Sequence, residues 1–184
     1  KDGEPRFAPS VIDRASRIAG EEGIRVSMVL WNRSVPEWVR GAAFDWHSYR
    51  MMRELSRHYR AFGVDRFEID NEPSHDLHYI DRLKGGYVGV KQGNPAAEAL
   101  MAGMFWAHRR RYAGVFTPAG SVLNDVGILA SPCTDRINWH EYYTGPPEGT
   151  RVHQLRGDLA LHRSLVDRWY DGAYGESLYQ TETA

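Results

Sequence analysis

The chain has 184 residues, 42% of them hydrophobic and 12% aromatic, which is enough for one domain with a packed core. The formal net charge is -1 and the basic residues are spread along the chain, so we predict no nucleic-acid partner. No apolar run is as long as a membrane span, and we therefore predict no membrane partner either. The first residues contain no signal-peptide core, so the sequence leaves the compartment open.

The amino-terminal part predicts two helices, each followed by a strand. A helix over 10–22 begins at Ser10, which forms a capping-box pattern with Asp13 three residues on, and a strand follows over 24–31. A second helix spans 44–62, because apolar residues recur every three or four positions up to Gly63. A strand over 65–70 ends at the corner Asn71-Glu72-Pro73, since proline cannot continue a hydrogen-bond ladder.

The rest of the chain predicts further strands and helices in alternation. Residues 74–94 are polar and glycine-rich, which predicts a long loop. The pair Asn94-Pro95 is typical of a helix start and predicts a helix over 95–111, with a strand over 114–118 after it. A strand over 135–140, a helix over 155–169 and a strand over 177–182 complete the pattern.

Alternating strands and helices predict an α/β fold with parallel strands and right-handed crossovers. The arrangement is either a doubly wound sheet or a barrel. Five strands are predicted, whereas a complete eight-stranded barrel takes about 250 residues, so a barrel would be present only in part.

Two glutamates stand at predicted strand ends, where a barrel gathers its functional residues. Glu72 follows the second predicted strand and Glu182 lies at the end of the last one. In a barrel both would face one mouth, and two facing carboxylates about 5 to 5.5 Å apart are what retaining glycoside cleavage requires. One attacks the anomeric carbon while the other protonates the leaving oxygen.

Several segments resemble glycoside hydrolase clan A. The run Phe67-Glu-Ile-Asp-Asn-Glu-Pro73 is similar to the clan's fourth-strand motif, and the residues before it are most like family 39, the β-xylosidase and α-L-iduronidase group. Ile137-Asn-Trp-His-Glu-Tyr-Tyr-Thr144 is similar to the sixth strand and Leu178-Tyr-Gln-Thr-Glu182 to the seventh. Asp70 departs from the pattern, which has an aromatic or small residue there. The resemblance implies a partial (β/α)8 TIM barrel, about strands three to seven, over residues 1–184.

The resemblance also implies roles for particular residues. Glu72 becomes the acid/base and Glu182 the nucleophile of a retaining glycosidase. Asn71 becomes the residue that binds the sugar 2-hydroxyl, while His140 and Tyr142 line the sugar site. The expected partner is an oligosaccharide or polysaccharide-derived glycoside, xyloside-like or related, and neither a cofactor nor a metal is required.

Other functions remain open at this stage. A barrel fragment that binds carbohydrate without cleaving it is the first alternative. A metal-dependent hydrolase is the second, because the spacing of His75, Asp76 and His78 could chelate a divalent ion, although a solvated loop is the commoner explanation. A Schiff-base aldolase needs a lysine at a strand end, and neither Lys84 nor Lys91 occupies one. Cys133, the single cysteine, has no evident partner base and cannot form an internal disulfide.

Overall fold

The computed structural model describes residues 10–30, 44–71, 78–105, 133–141 and 178–183. The first helix, α1 (Val11–Glu21), confirms the predicted start. The Asp13 backbone N–H donates to Ser10 Oγ at 3.2 Å, and the Ser10 N–H donates to Asp13 Oδ2 at 3.0 Å. The reciprocal pair satisfies two backbone donors that a helix start leaves without intrahelical partners.

The next elements also follow the sequence expectation. Strand β1 (Ser27–Leu30) precedes α2 (Phe44–Tyr59), which continues into a 3-10 turn over Arg60–Phe62. The turn ends at Gly63, whose φ of 76° is a left-handed conformation that glycine adopts without a side-chain clash. Strand β2 (Arg66–Ile69) follows at once, within the predicted range.

The prediction of a long loop over 74–94 is wrong for its described part, because helix α3 spans His78–Gly93. Its glycines allow close packing and do not mark a loop. A Cβ at Gly86 would lie 2.9 Å from the Ile69 side chain, and one at Gly89 would overlap the carbonyl oxygen of Tyr49. Glycine at these positions lets α3 approach β2 and α2 more closely than any other residue would permit.

The predicted helix over 95–111 is also wrong for its described part. Strand β3 (Glu98–Met101) and the short strand β4 (Met104–Phe105) occupy that stretch. Asn94 makes a turn: its side-chain oxygen accepts from the Ala96 N–H and its carbonyl oxygen accepts from the Ala97 N–H. Pairing with the strands on either side overrides the helix propensity of this Ala-, Leu- and Met-rich segment.

All six described strands are parallel to their neighbours. Strands β1, β2 and β3 form one three-stranded sheet, and β4, β5 (Ile137–Glu141) and β6 (Leu178–Thr183) form another. The two are joined where Leu100 bridges to Arg136 and the Met101 N–H donates to the Arg136 carbonyl oxygen. The described strands therefore follow chain order, without the reversal that a doubly wound sheet has at its switch point. The predicted strand over 114–118 and helix over 155–169 lie outside the described residues.

The helices cover one face of the first sheet and build the core. Phe67 and Ile69 of β2 pack there with buried residues of α2 and α3. The helix residues of this core are Met52, Tyr59, Tyr79, Ile80, Leu83 and Val90. Each large apolar side chain buried in this way contributes about 1.5 to 3 kcal/mol. Glu68 alternates with Phe67 and Ile69 along the strand and lies on the face turned away from the helices.

Candidate active site

The strand end that carries the predicted acid/base is described up to Asn71. Asn71 lies two residues beyond Ile69, the last residue of β2, and is partly buried. Its backbone N–H donates to Asp70 Oδ1 at 2.8 Å. Glu72 lies outside the described residues, so its role remains a prediction that rests on the position of Asn71.

Asp70 has an unusual backbone conformation at this corner. Its φ is 76°, and in the described part of the chain it is the only non-glycine residue with a positive φ. Asp is one of the few residues that tolerate this left-handed region. The strict alternation of side chains along β2 therefore ends at Ile69.

The Asp70 carboxylate is buried and paired. Arg82 of α3 donates to Asp70 Oδ2 from Nε at 2.9 Å, and a terminal guanidinium nitrogen lies 2.8 Å from the same oxygen. The two side chains are only 2% and 7% exposed. Asp70 consequently does not present a bare negative charge to the corner that follows it.

Glu68 connects β2 to the break between β3 and β4, which consists of Ala102 and Gly103. It is 1% exposed, and its Oε1 accepts a hydrogen bond from the Gly103 N–H at 2.7 Å. Beside it in the break, the Ala102 N–H donates to the hydroxyl oxygen of Tyr79 at 2.8 Å. Side chains thus satisfy two backbone donors where the strand ladder is interrupted.

The last two strands bring two of the predicted site residues together along the backbone. Strands β5 and β6 pair in parallel, and His140 stands in register with Glu182. A register shift between Trp139 and His140 produces this pairing. Both residues are near the carboxyl ends of their strands. Because the strands are parallel, this is the same edge at which Asn71 follows β2. Tyr142 lies outside the described residues.

The residues of the metal-binding alternative are described only in part. His75 and Asp76 lie outside the described ranges, and the backbone of His78 begins α3. Across those ranges no group of three His, Cys, Asp or Glu side chains is arranged to hold a metal. No helix within them is long and apolar enough to cross a membrane.

The described lysines and the cysteine are not in positions that suit a nucleophile. Lys84 is exposed on α3, and Lys91 pairs with Asp135 at 2.5 Å, close to the amino end of β5. Burial raises the pKa of the Cys133 thiol, which disfavours the reactive thiolate.

Sequence reasoning missed Arg82, the partner of Asp70. The residue falls in the segment predicted to be a loop, and nothing in the local pattern connects it to the β2 corner. The signal that was available is the spacing of Gly86, Gly89 and Gly93, which places them on one side of a helix.

Solved structures of three carbohydrate-acting enzymes are similar to this chain. A family 39 glycoside hydrolase from Bacteroides cellulosilyticus matches 78% of this chain and 32% of its own, at 18% identity and a TM-score of 0.54. The endoglucanase catalytic domain of Thermobifida fusca matches 93% and 60%, at 14% identity and a TM-score of 0.53. A family 51 α-L-arabinofuranosidase from Bifidobacterium longum matches 94% and 38%, at 16% identity and a TM-score of 0.56.

These likenesses show a shared α/β fold. The chain spans between 32% and 60% of the length of the three structures. No family model matches the sequence, and no curated protein matches it.

Proposed function

We propose that this chain contributes the catalytic pair of a retaining glycoside hydrolase and forms about strands three to seven of a TIM barrel. The observation that carries the proposal is the arrangement of strand ends. The parallel strands follow chain order, Asn71 lies two residues beyond the carboxyl end of β2, and Glu182 stands in register with His140. Chain-order winding is what a barrel segment requires, and it favours one mouth for the loops that leave the strands.

The proposed reaction is a double displacement. The Glu182 carboxylate attacks the anomeric carbon while Glu72 gives its proton to the leaving glycosidic oxygen, and a covalent glycosyl-enzyme forms. Glu72, now a carboxylate, then takes a proton from water as that water attacks the anomeric carbon and releases Glu182. Retention of configuration is the consequence of the two inversions.

The remaining predicted residues bind the sugar. Asn71 hydrogen-bonds the 2-hydroxyl beside the reacting carbon, where such bonds strengthen in the transition state. His140 and Tyr142 line the subsite. The proposed substrate is a β-glycoside, xyloside-like or related. The three structural neighbours support carbohydrate as the substrate class, since each is named as a glycoside hydrolase, an endoglucanase or an arabinofuranosidase.

The proposal is tested on the intact protein with Glu72→Ala and a panel of aryl β-xylosides, β-glucosides and α-arabinofuranosides. Removing a general acid costs about 10² to 10⁴-fold, and the loss is greatest for substrates with poor leaving groups. Azide restores turnover of an activated substrate in Glu72→Ala by forming a β-glycosyl azide, because it needs no general base. The exposed Glu22→Gln on the turn after α1 is the control and keeps the wild-type rate.

Two results would contradict the proposal. One is full activity in Glu72→Ala on a poor leaving group. The other is oligosaccharide binding in calorimetry without turnover of any member of the panel, which would favour the non-catalytic binding alternative.

A further inference from the structure

The corner at the carboxyl end of β2 has a backbone conformation that few non-glycine residues adopt. Asp70 has a φ of 76°, and its N–H still donates to the Leu30 carbonyl oxygen at 2.9 Å, one residue beyond the strand. A non-glycine residue stays in this region only where its surroundings hold it there, and such residues cluster at functional sites.

The surroundings that hold Asp70 are specific. Oδ1 accepts from the Asn71 N–H at 2.8 Å, and Oδ2 accepts from Arg82 Nε at 2.9 Å. One carboxylate thus connects the following peptide group to helix α3. Rotation of the Asp70 side chain would break both connections at once.

Arg82 is itself fixed to several elements. Its carbonyl oxygen accepts from Ser48 Oγ of α2 at 2.9 Å, and its guanidinium lies 5.8 Å from the centre of the Tyr79 ring. The Tyr79 hydroxyl in turn accepts from Ala102 in the break between β3 and β4. The corner is therefore linked through Arg82 to α2, α3 and the third strand.

Burial distinguishes this pair from those at the other end of the strands. Asp70 and Arg82 are 2% and 7% exposed, whereas Arg66 and Glu98 are 13% and 24% exposed. A fully buried ion pair is often no more stabilising than apolar residues of the same size, so its contribution to overall stability does not explain its presence.

We propose that the Asp70–Arg82 pair is a positioning device for the acid/base. It holds the peptide group between Asp70 and Asn71, immediately before the proposed acid/base in the sequence, in one backbone conformation, and it does so without contact with substrate. The inference rests on the proposed function, because it assigns the corner's purpose through Glu72.

The test uses the double variant Asp70→Asn/Arg82→Met in the intact protein. Asn tolerates the left-handed backbone and keeps an acceptor for the Asn71 N–H, while the double change leaves no buried charge unpaired. The matched control is Arg66→Met/Glu98→Gln, which removes the Arg66–Glu98 pair at the opposite end of β2 and with it the ion pair of Glu98 with the partly exposed Arg136. Each is assayed on a 2,4-dinitrophenyl glycoside and on the phenyl glycoside of the same sugar.

A displaced general acid matters most when the leaving group is poor. We expect kcat on the phenyl glycoside to fall by about 10²-fold, as for a misplacement of about 1 Å, and kcat on the dinitrophenyl glycoside to fall much less. KM stays near the wild-type value. In the control variant, the ratio of kcat on the two substrates stays at the wild-type value. Arg82→Lys keeps the positive charge but not the two-nitrogen contact with Asp70. Its kcat on the phenyl glycoside should fall less than that of the double variant.

A uniform loss on both substrates, or no loss on either, would overturn the inference. Amide hydrogen exchange at Asn71 gives a reading that does not depend on activity. It becomes faster in the double variant than in the control if the pair holds the corner, and unchanged exchange overturns the inference. If the wild-type protein hydrolyses no glycoside, the proposed function fails, and the exchange measurement still decides whether the pair positions the corner.

Discussion

The two ends of the parallel strands use ionisable side chains differently. At the amino ends, Glu98 accepts from both Arg66 and Arg136, and these side chains are between 13% and 30% exposed. At the carboxyl end of β2, Asp70 and Arg82 are almost fully buried, and Asp70 departs from extended geometry.

The difference shows how strongly each end depends on its ion pairs. Partly exposed pairs are screened by solvent and contribute little individually, so the loss of one member at the amino end should cost little stability. A buried pair cannot lose one member without leaving a charge in an apolar environment. The carboxyl end of β2 therefore carries a geometric constraint that the amino end lacks.

The largest expected effect is the loss of activity when a carboxylate at the carboxyl end is replaced, compared with one at the amino end. Glu182→Gln removes the proposed nucleophile, and we expect kcat/KM for an aryl glycoside to fall on the order of 10⁴-fold. Glu98→Gln, at the amino end, keeps kcat/KM near the wild-type value. Steady-state kinetics on the intact protein measures both, and equal activity in the two variants would remove Glu182 from the mechanism.

The second prediction compares arginines from the same two ends. Arg82→Met leaves the Asp70 carboxylate buried without its partner and should cost about 3 to 5 kcal/mol of unfolding free energy. Arg66→Met should cost about 0.2 to 1 kcal/mol, because its pair is partly exposed. Urea unfolding provides both values. Similar losses of unfolding free energy in the two variants would mean that burial does not make the Asp70–Arg82 pair more important for stability than the Arg66–Glu98 pair.

The third prediction concerns the contact that brings α3, and with it Arg82, to the corner. Gly89→Ala places a methyl group against the Tyr49 carbonyl oxygen, and we expect a loss of about 1 to 3 kcal/mol. Val88→Ala, at the neighbouring exposed position, should stay within about 0.5 kcal/mol of wild type. Thermal unfolding checks the pair, and an unaffected Gly89→Ala would show that α3 can move without strain.

The smallest effect is a pH dependence of the amino end. The hydrogen bond from Arg136, reinforced by Arg66, lowers the pKa of Glu98 below its ordinary value of 4.5. The folded state then binds this proton more weakly than the unfolded state, so the stabilisation is present above that value and is lost as the pH falls through the lowered pKa.

We expect Glu98→Gln to make the decline of unfolding free energy below about pH 5 shallower. Arg136→Gln, which removes the stronger donor, should reproduce part of that change. Urea unfolding at a series of pH values measures the slope. An unchanged acid limb in Glu98→Gln would assign the decline to other carboxylates.

Local patterns were sufficient where an element depends on its own residues. The Ser10–Asp13 capping box starts α1, and Gly63 follows the 3-10 turn that ends the second predicted helix. The alternation of elements likewise predicted parallel strands. The same reasoning failed for α3 and β3, because glycine in a helix and alanine in a strand are explained only by the neighbours that contact them.

The candidate site divides in the same way. The sequence by itself predicted which residues could carry chemistry, since the motifs that contain Asn71, His140 and Glu182 and their positions near strand ends drew attention to them. Only the tertiary structure decided that His140 and Glu182 stand in register and that Asp70 is paired with Arg82. The physical reason is that both depend on residues distant in sequence. The Asp70–Arg82 pair forms because α3 packs against α2 and β2, and the His140–Glu182 register follows from the pairing of β5 with β6.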